Sequence, residues 1–345
     1  SGWCLQYVYA SIIGELHGDA NYVARYFQEF AADPFRPVLW TVVIFLICHF
    51  VIIHGVRGGI EKASKVMMPL LFILLLIIVV ASCLLPDAGK GVEFLLKPDF
   101  GKVDRNVFLN ALGQSFYSMS IGMGCICTYA SYFSRQTNLF KSALQISVID
   151  LMVAVLAGLM IFPAAFSVGI SPDSGPSLIF ITLPNVFNKA FAALPVLGWI
   201  ISLLFYVLLS VAALTSLMSL HEVNTSFFYE ELKIDRKKGA WIVTISCAII
   251  GAFCSFSLGA TDKLSWLGKT LFDWFDFITG QIFLPMAGLL TCLFLGWYVP
   301  KKILKDEFTN WGTLKGRLFG IYFFLIKFVC PILILLVFLN QFGVL

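Results

Sequence analysis

Long apolar runs separated by short polar stretches dominate this chain. An α-helix needs about 20 mostly apolar residues to cross the hydrocarbon core of a bilayer. Eight runs approach or exceed that length: 38–54, 65–85, 107–132, 142–167, 197–229, 239–259, 272–298 and 317–340. Residues 1–16 are typical of the second half of another span. The pattern therefore predicts an all-α polytopic membrane protein with eight full spans and one partial span, folded as a single transmembrane domain over residues 1–345.

Composition agrees with this prediction. The chain is 59% hydrophobic and 13% charged, whereas soluble domains carry about 25% charged residues. The sequence opens with Ser1-Gly2-Trp3 inside an apolar segment, without a Met, a basic region or a cleavage site. We therefore expect neither a signal peptide nor a natural beginning at this point.

Basic residues concentrate in alternate connections between the spans. The segments 57–65, 233–238 and 301–305 are rich in Lys and Arg, whereas the opposite connections are longer and less basic. Short basic loops are cytoplasmic by the positive-inside rule. The charge pattern predicts a multi-pass protein of the plasma (inner) membrane, and the net charge of +4 indicates topology and lipid contact, with no nucleic-acid partner.

One external connection departs from a passive loop. Residues 171–195 alternate turn residues with apolar ones, including the run Phe180-Ile181-Thr182-Leu183-Pro184. This alternation predicts short helices that lie at the surface or dip inward, as a lid would.

The run 107–132 has its weakest helix formers at its centre. Residues 118–124 read Ser-Met-Ser-Ile-Gly-Met-Gly, and each Gly costs about 1 kcal/mol relative to Ala inside a helix. One interpretation is an unwound segment whose helix ends face a cavity at mid-membrane depth. The other is close helix packing through small residues. The stretch alone does not decide between them.

Polar groups inside two later spans favour the first interpretation. Asp150 lies well inside an apolar run, and an acidic group at that depth indicates function, although protonation is an alternative way to tolerate it. Thr215 and Ser216 place two hydroxyls at the centre of another span, where bonding back to the helix is the alternative. Oxygen ligands around a carboxylate suit a small hard cation, and Na⁺ is a plausible countercharge.

Several stretches together resemble the bacterial branch of the neurotransmitter:sodium symporter family along the whole chain. They are Arg57-Gly58-Gly59-Ile60-Glu61-Lys62 with Met68-Pro69, Thr128-Tyr129-Ala130-Ser131-Tyr132, Phe180-Ile181-Thr182-Leu183-Pro184, Ala213-Leu214-Thr215-Ser216 and Glu230-Glu231-Leu232. The resemblance implies an inverted repeat of five plus five helices and sodium-coupled uptake of an amino acid. In the family's order, the interrupted run is the sixth helix, and this chain lacks helices 1 and 2 and the start of helix 3.

The resemblance also implies roles residue by residue. The first sodium site takes Ser118 and Asp150, and the second takes the Ala212 carbonyl with the hydroxyls of Thr215 and Ser216. Many relatives have Asn at the Asp150 position and hold chloride with a Ser one turn later, where this chain has Ala154. We therefore expect chloride-independent transport, with Na⁺ as a co-transported ion rather than a catalytic cofactor.

The substrate is expected to rest against the unwound backbone and an apolar pocket, which favours a hydrophobic or aromatic amino acid. The residues implied for substrate binding are Tyr117, Ser118, Ser120, Gly122, Met123, Leu217 and Leu220. Asp276 matches an external gate, and Glu230 with Tyr132 matches the internal gate region. The missing helices carry half of both sodium sites and the partners of both gates. A fragment alone is thus expected not to complete a transport cycle, and its state as a monomer or homodimer is left open.

Three other functions remain as alternatives. A proton-coupled amino-acid permease of the same architecture would place a basic side chain near Thr215, and none occurs there. An intramembrane enzyme would need a second catalytic group near Asp150 or His221, and a channel would need a filter repeat. Neither feature is evident, so no enzymatic activity is expected.

Overall fold

The computed structural model describes residues 1–16, 18–134, 136–168, 178–260, 265–266, 268–314 and 316–342. Within these residues the protein is helical almost throughout. One antiparallel pair of two-residue strands, β1 (Ser265–Trp266) and β2 (Lys269–Thr270), places Ser265 opposite Thr270. The all-α prediction therefore missed this small hairpin, which is too short to show a period in the sequence.

Sixteen α-helices follow one another along the described parts of the chain. They are α1 (Gly2–Ile13), α2 (Ala20–Ala32), α3 (Arg36–Ile53), α4 (Glu61–Cys83), α5 (Ala88–Leu96), α6 (Arg105–Ser118), α7 (Cys125–Ser131), α8 (Leu139–Ser167), α9 (Leu183–Ala190), α10 (Pro195–Glu230), α11 (Arg236–Ser255), α12 (Leu271–Asp276), α13 (Leu284–Leu293), α14 (Lys301–Phe308), α15 (Phe319–Phe324) and α16 (Cys330–Gln341). A 3₁₀ turn covers Phe100–Lys102. Wider π-helical turns cover Val56–Ile60, Leu178–Thr182, Phe256–Ala260, Phe277–Phe283, Phe294–Tyr298 and Leu325–Val329.

The chain divides into two compact units. Unit 1 comprises Ser1–Pro98 and Val153–Phe272, and unit 2 comprises Asp99–Met152 and Asp273–Leu345. The long helix α8 begins in unit 2 and ends in unit 1.

Seven helices within the described residues are long and apolar enough to cross a membrane. They are Arg36–Ile53, Gly58–Cys83, Leu139–Ser167, Pro195–Glu230, Arg236–Leu258, Leu271–Tyr298 and Phe319–Gln341. Each corresponds to one predicted run. The eighth run, 107–132, is split between α6 and α7, at the stretch where an unwound segment is one of the two predicted interpretations.

Aspartates begin several of these helices by accepting backbone N–H bonds. Asp104 accepts from Val107 N at 2.8 Å at the start of α6. Asp33 accepts from Arg36 N and Phe35 N just before α3, and these bonds lower the pKa of the Asp33 carboxyl. Helix starts leave such N–H groups without partners in the helix, and a short acidic side chain satisfies them.

Unit 1 is built around an aromatic core. Tyr7, Phe30, Phe187, Phe205 and Tyr206 are all fully buried, and the Tyr206 hydroxyl donates to the Ile179 carbonyl at 2.9 Å. Large rings provide most of the apolar area that such a core buries. This core brings α1, α9 and α10 together.

The segment predicted as a lid forms short helices that dip inward. Its described part consists of the π-helical turn Leu178–Thr182 and α9, and Leu183, Val186 and Phe187 are at most 1% exposed. The prediction of inward-dipping helices is confirmed there. Residues 169–177, which hold the first part of the predicted lid, lie outside the described residues.

Candidate ion and substrate site

The helix that begins as α6 is interrupted for six residues at its centre. α6 ends at Ser118 and α7 begins at Cys125. Between them, Ser120, Gly122 and Gly124 have φ values of +52°, +87° and +80°. An α-helix requires negative φ at every residue, so the chain is unwound here.

A specific backbone motif ends α6. The Ile121 N–H donates to the Phe116 carbonyl at 2.9 Å, and the Ser120 N–H donates to the Tyr117 carbonyl at 3.1 Å. This is the Schellman pattern, in which a left-handed residue turns the chain away from the helix. Gly usually occupies that residue because a side chain is strained there. Here it is Ser120, so part of the interruption is made by a non-glycine residue.

The unwound segment also packs closely against α13. A Cβ atom on Gly122 would lie 2.5 Å from the Leu284 carbonyl oxygen and 3.3 Å from the Gly288 backbone nitrogen. A Cβ atom on Gly288 would in turn lie 3.2 Å from the Phe116 ring. The two interpretations of the glycine-rich stretch are thus both realised: the helix is broken, and its small residues allow a close backbone contact.

Asp150 and Ser118 meet at the end of α6. The Ser118 hydroxyl donates to a carboxylate oxygen of Asp150 at 2.7 Å. Ser118 is the last residue of α6, and Asp150 lies near the middle of α8. A hydroxyl has one proton and two lone pairs, so Ser118 can donate to the carboxylate and still offer oxygen to a cation.

Three oxygens cluster on α10 in unit 1. The hydroxyls of Thr215 and Ser216 both approach the Ala212 carbonyl oxygen, at 2.8 Å and 3.2 Å. In this structure both hydroxyls bond back to their own helix, as the alternative interpretation holds. The lone pairs of both hydroxyl oxygens remain available to a cation. A cation bound to the Ala212 carbonyl oxygen would require the two hydroxyl protons to rotate away from that oxygen.

The residues predicted to line the substrate pocket belong to both units. Tyr117, 55% exposed, lines a cleft of about 470 Å³ in unit 2 together with Asp276. Met123 lies in the unwound segment. Leu217 lines a mostly apolar cavity of about 600 Å³ in unit 1, beside Trp3 and Phe180. Leu220, on the next turn of α10, is exposed.

The predicted gate residues lie at helix ends. Asp276 is the last residue of α12, directly before a π-helical turn. Glu230 is the last residue of α10, and Tyr132 follows α7 as its C-cap. Their carboxylate and phenol groups are accessible, since all three side chains are exposed.

Tyr7 is a buried polar residue that the sequence pattern did not single out. Its ring is fully buried, and the centres of the Tyr7 and Phe180 rings lie 4.8 Å apart. Its hydroxyl has no hydrogen-bond partner among the described residues. A buried donor without a partner is costly, which marks this hydroxyl as an unusual feature of the core of unit 1. The available signal was the polar pair Gln6-Tyr7 inside an apolar helix.

A helix broken at its centre beside a carboxylate, within a bundle of membrane-length helices, is the architecture of a secondary transporter. Comparison with known proteins agrees. A family model described as "SNF: Sodium:neurotransmitter symporter family" matches residues 27–344. The chain therefore belongs to the sodium:neurotransmitter symporter family.

Individual relatives are similar over almost the whole chain. The "uncharacterized sodium-dependent transporter YhdH" of Bacillus subtilis is 35% identical over 100% of this chain and 75% of its own length. An uncharacterized sodium-dependent transporter of Haemophilus influenzae is 33% identical over 99% of this chain and 74% of its own length. The solved structure of MhsT in complex with L-phenylalanine matches with a TM-score of 0.86 and 34% identity, covering 99% of this chain and 76% of MhsT. Na⁺ is therefore the co-transported ion of a multi-pass membrane transporter.

Proposed function

We propose that the protein carries a hydrophobic or aromatic amino acid into the cell together with Na⁺, without a requirement for chloride. The observation that carries this proposal is the Ser118–Asp150 hydrogen bond at the end of the broken helix. It joins a carboxylate and a hydroxyl oxygen at the point where the backbone leaves helical geometry. We also propose that residues 1–345 belong to a single transporter domain.

The chemistry of the first ion position favours Na⁺. The Asp150 carboxylate supplies one negative charge and Ser118 supplies a neutral oxygen, and hard oxygen ligands of this kind suit a small hard cation. The unwound segment adds carbonyl groups that the helix no longer uses. Ala212, Thr215 and Ser216 would provide the second position, since the two hydroxyl oxygens already lie within 3.2 Å of the Ala212 carbonyl oxygen.

Sodium entry would drive substrate uptake. Each Na⁺ that moves inward gains about 2.3 kcal/mol per 100 mV of membrane potential, in addition to its concentration gradient. A substrate that binds only when the ion is present would move against its own gradient. The basic short loops favour a cytoplasmic inner face for this cycle, and Glu230 and Tyr132 would be internal gate residues and Asp276 the external one.

The substrate class follows from the lining of the site. The backbone of 120–124 would receive the polar end of the amino acid, where Ser120 and Gly122 shape the turn. Tyr117, Met123, Leu217 and Leu220 would contact its side chain, and all four are apolar or aromatic. Met adapts its shape to its neighbours. The similar protein MhsT has been solved in complex with L-phenylalanine, which supports an aromatic substrate.

Uptake into proteoliposomes tests the proposed function. Vesicles loaded with potassium buffer are diluted into medium containing labelled L-phenylalanine with either Na⁺ or K⁺ outside. We expect accumulation only with Na⁺, and dissipation of the sodium gradient should abolish it. Equal uptake in both media would contradict sodium coupling, and uptake that follows an imposed pH gradient would instead support a proton-coupled permease.

Chloride replacement gives a second test. Because Asp150 supplies a fixed negative charge and Ala154 has no hydroxyl for an anion, we expect the uptake rate to change by less than about twofold when gluconate replaces chloride, since no ion-pair energy is lost. A loss of most of the uptake would show that an anion completes the site.

A further inference from the structure

Lys327 lies inside the last span and has no place in the proposed transport site. It belongs to the π-helical turn Leu325–Val329, about 12 Å along the span from Phe319 at 1.5 Å per residue. Its ammonium lies 4.5 Å from the centre of the Trp297 ring and 5.6 Å from the centres of the Phe323 and Phe328 rings. A cation close to an aromatic ring is attracted by its quadrupole. The lysine head is thus held by aromatic rings inside a membrane-length segment.

The backbone fixes this arrangement. In a regular helix the Lys327 carbonyl would accept from the N–H four residues later, but that residue is Pro331, which has none. The Trp297 indole N–H donates to this carbonyl instead, at 3.3 Å. The spans Leu271–Tyr298 and Phe319–Gln341 approach each other closely beside Lys327. A Cβ atom on Gly296 would lie 2.9 Å from the Lys327 Cα. Three features therefore fix the position of Trp297 beside Lys327: the missing N–H of Pro331, the close helix contact at Gly296 and the indole hydrogen bond.

A second ammonium lies beside one of these rings. Lys301, at the start of α14, has its Nζ 5.0 Å from the centre of the Phe323 ring. Lys301 and Lys327 thus both lie within 5.6 Å of the centre of one ring. None of the ion pairs within the described residues involves either lysine. Among the described residues, these two ammonium groups thus have no carboxylate within ion-pair distance.

The surroundings place these charges at the membrane boundary. Trp297 and Tyr298 end the span Leu271–Tyr298 and are 62% and 79% exposed. Trp and Tyr favour the interface between lipid tails and water, and a long lysine side chain reaches that level from within the span. Phe328, Ile332 and Leu335 continue the exposed apolar surface toward the membrane interior, where acyl chains would lie.

We propose that Lys301, Lys327 and Trp297 form a binding site for an anionic phospholipid of the leaflet that adjoins residues 299–318. The phosphate would contact the two ammonium groups, and the acyl chains would pack on Phe328, Ile332 and Leu335. A lipid is favoured over a free anion because the ammonium groups are flanked by exposed apolar rings rather than by polar side chains.

Native mass spectrometry of the purified protein with added phosphatidylglycerol or phosphatidylcholine tests this site. We expect the protein to retain phosphatidylglycerol at least about fivefold more strongly, because each lysine near a lipid surface contributes about 1 kcal/mol. Lys327→Gln and Lys301→Gln should each reduce this preference about fivefold, whereas Lys327→Arg should restore it. Lys302→Gln is the control, because Lys302 lies beside Lys301 in α14 and has no ring contact within the described residues. This variant should change the preference for phosphatidylglycerol less than twofold.

Three results would overturn the proposal. They are equal retention of the two lipids, an equal loss in Lys302→Gln, and displacement of phosphatidylglycerol by millimolar inorganic phosphate, which would indicate a site for free anions. Monodispersity on gel filtration shows that each variant is folded. If Lys327→Gln does not fold, Lys301→Gln, on the exposed helix α14, decides the question.

Discussion

Replacing Gly122 by alanine is expected to lower sodium-coupled uptake at least about 100-fold, since a displacement of about 1 Å at a site can have this effect. Gly122 has a φ of +87°, and an added Cβ atom would lie 2.5 Å from the Leu284 carbonyl oxygen. Backbone oxygen cannot rotate away as a side chain can. Either α13 moves away from the unwound segment or the segment itself shifts, and a shift of the segment would disturb the end of α6 that carries Ser118. The measurement is the initial rate of L-phenylalanine uptake into proteoliposomes.

The control for this prediction is Gly320→Ala. Gly320 lies in α15, and a Cβ atom there would meet nothing within 4 Å. Alanine favours a helix by about 1 kcal/mol over glycine, so this variant should transport at the normal rate. A Gly122→Ala protein with full activity would show that the contact with α13 has no part in transport.

Replacing Asp150 by alanine is expected to weaken the apparent affinity for Na⁺ at least about 100-fold. The reason is that a carboxylate about 4 Å from a cation contributes about 4 kcal/mol at an effective dielectric constant of about 20. The substitution also removes the acceptor of the Ser118 hydroxyl. Half-maximal uptake should shift to a sodium concentration beyond the measurable range. The readout is the sodium concentration dependence of L-phenylalanine uptake at constant ionic strength.

Two further variants separate charge from oxygen ligation at Asp150. Asp150→Asn keeps an oxygen ligand and should lose less activity than the alanine variant. Combined with Ala154→Ser, it should gain a dependence on chloride, since an anion then replaces the lost charge. Glu307→Ala removes a carboxylate from an exposed residue of unit 2 and should have no effect. An Asp150→Ala protein with normal sodium dependence would rule out the proposed first ion position.

Much of the architecture could be predicted because its signals are local. Seven runs of membrane length became helices, and the weak helix formers of 118–124 marked the interruption. The pairing of Ser118 with Asp150 was predicted from the family resemblance, and the two side chains do meet within unit 2. The roles of these residues in binding Na⁺ and substrate stay predictions.

Other features depend on contacts between distant parts of the chain. The stretch 118–124 indicated small residues but not their neighbour, since the Gly122 contact involves Leu284, more than 160 positions away. The Trp297 ring beside Lys327 likewise comes from the preceding span. Its indole N–H donates to the Lys327 carbonyl, which cannot accept from Pro331 four residues later. Tyr7 was overlooked because an unpartnered hydroxyl is evident only when its surroundings are known. The helix α5 lies between the predicted runs 65–85 and 107–132, where the short apolar stretch 91–96 was too brief to indicate a helix.

Crystals of the protein grown with thallous ions in place of Na⁺ would test the central claim most directly. Tl⁺ is a monovalent cation with strong anomalous scattering, so a bound ion appears as a peak in the anomalous map. A peak within bonding distance of both the Ser118 hydroxyl and the Asp150 carboxylate, at a helix broken between 118 and 125, is the predicted result. A continuous helix over 105–131, or a map without density at Asp150, would contradict the account.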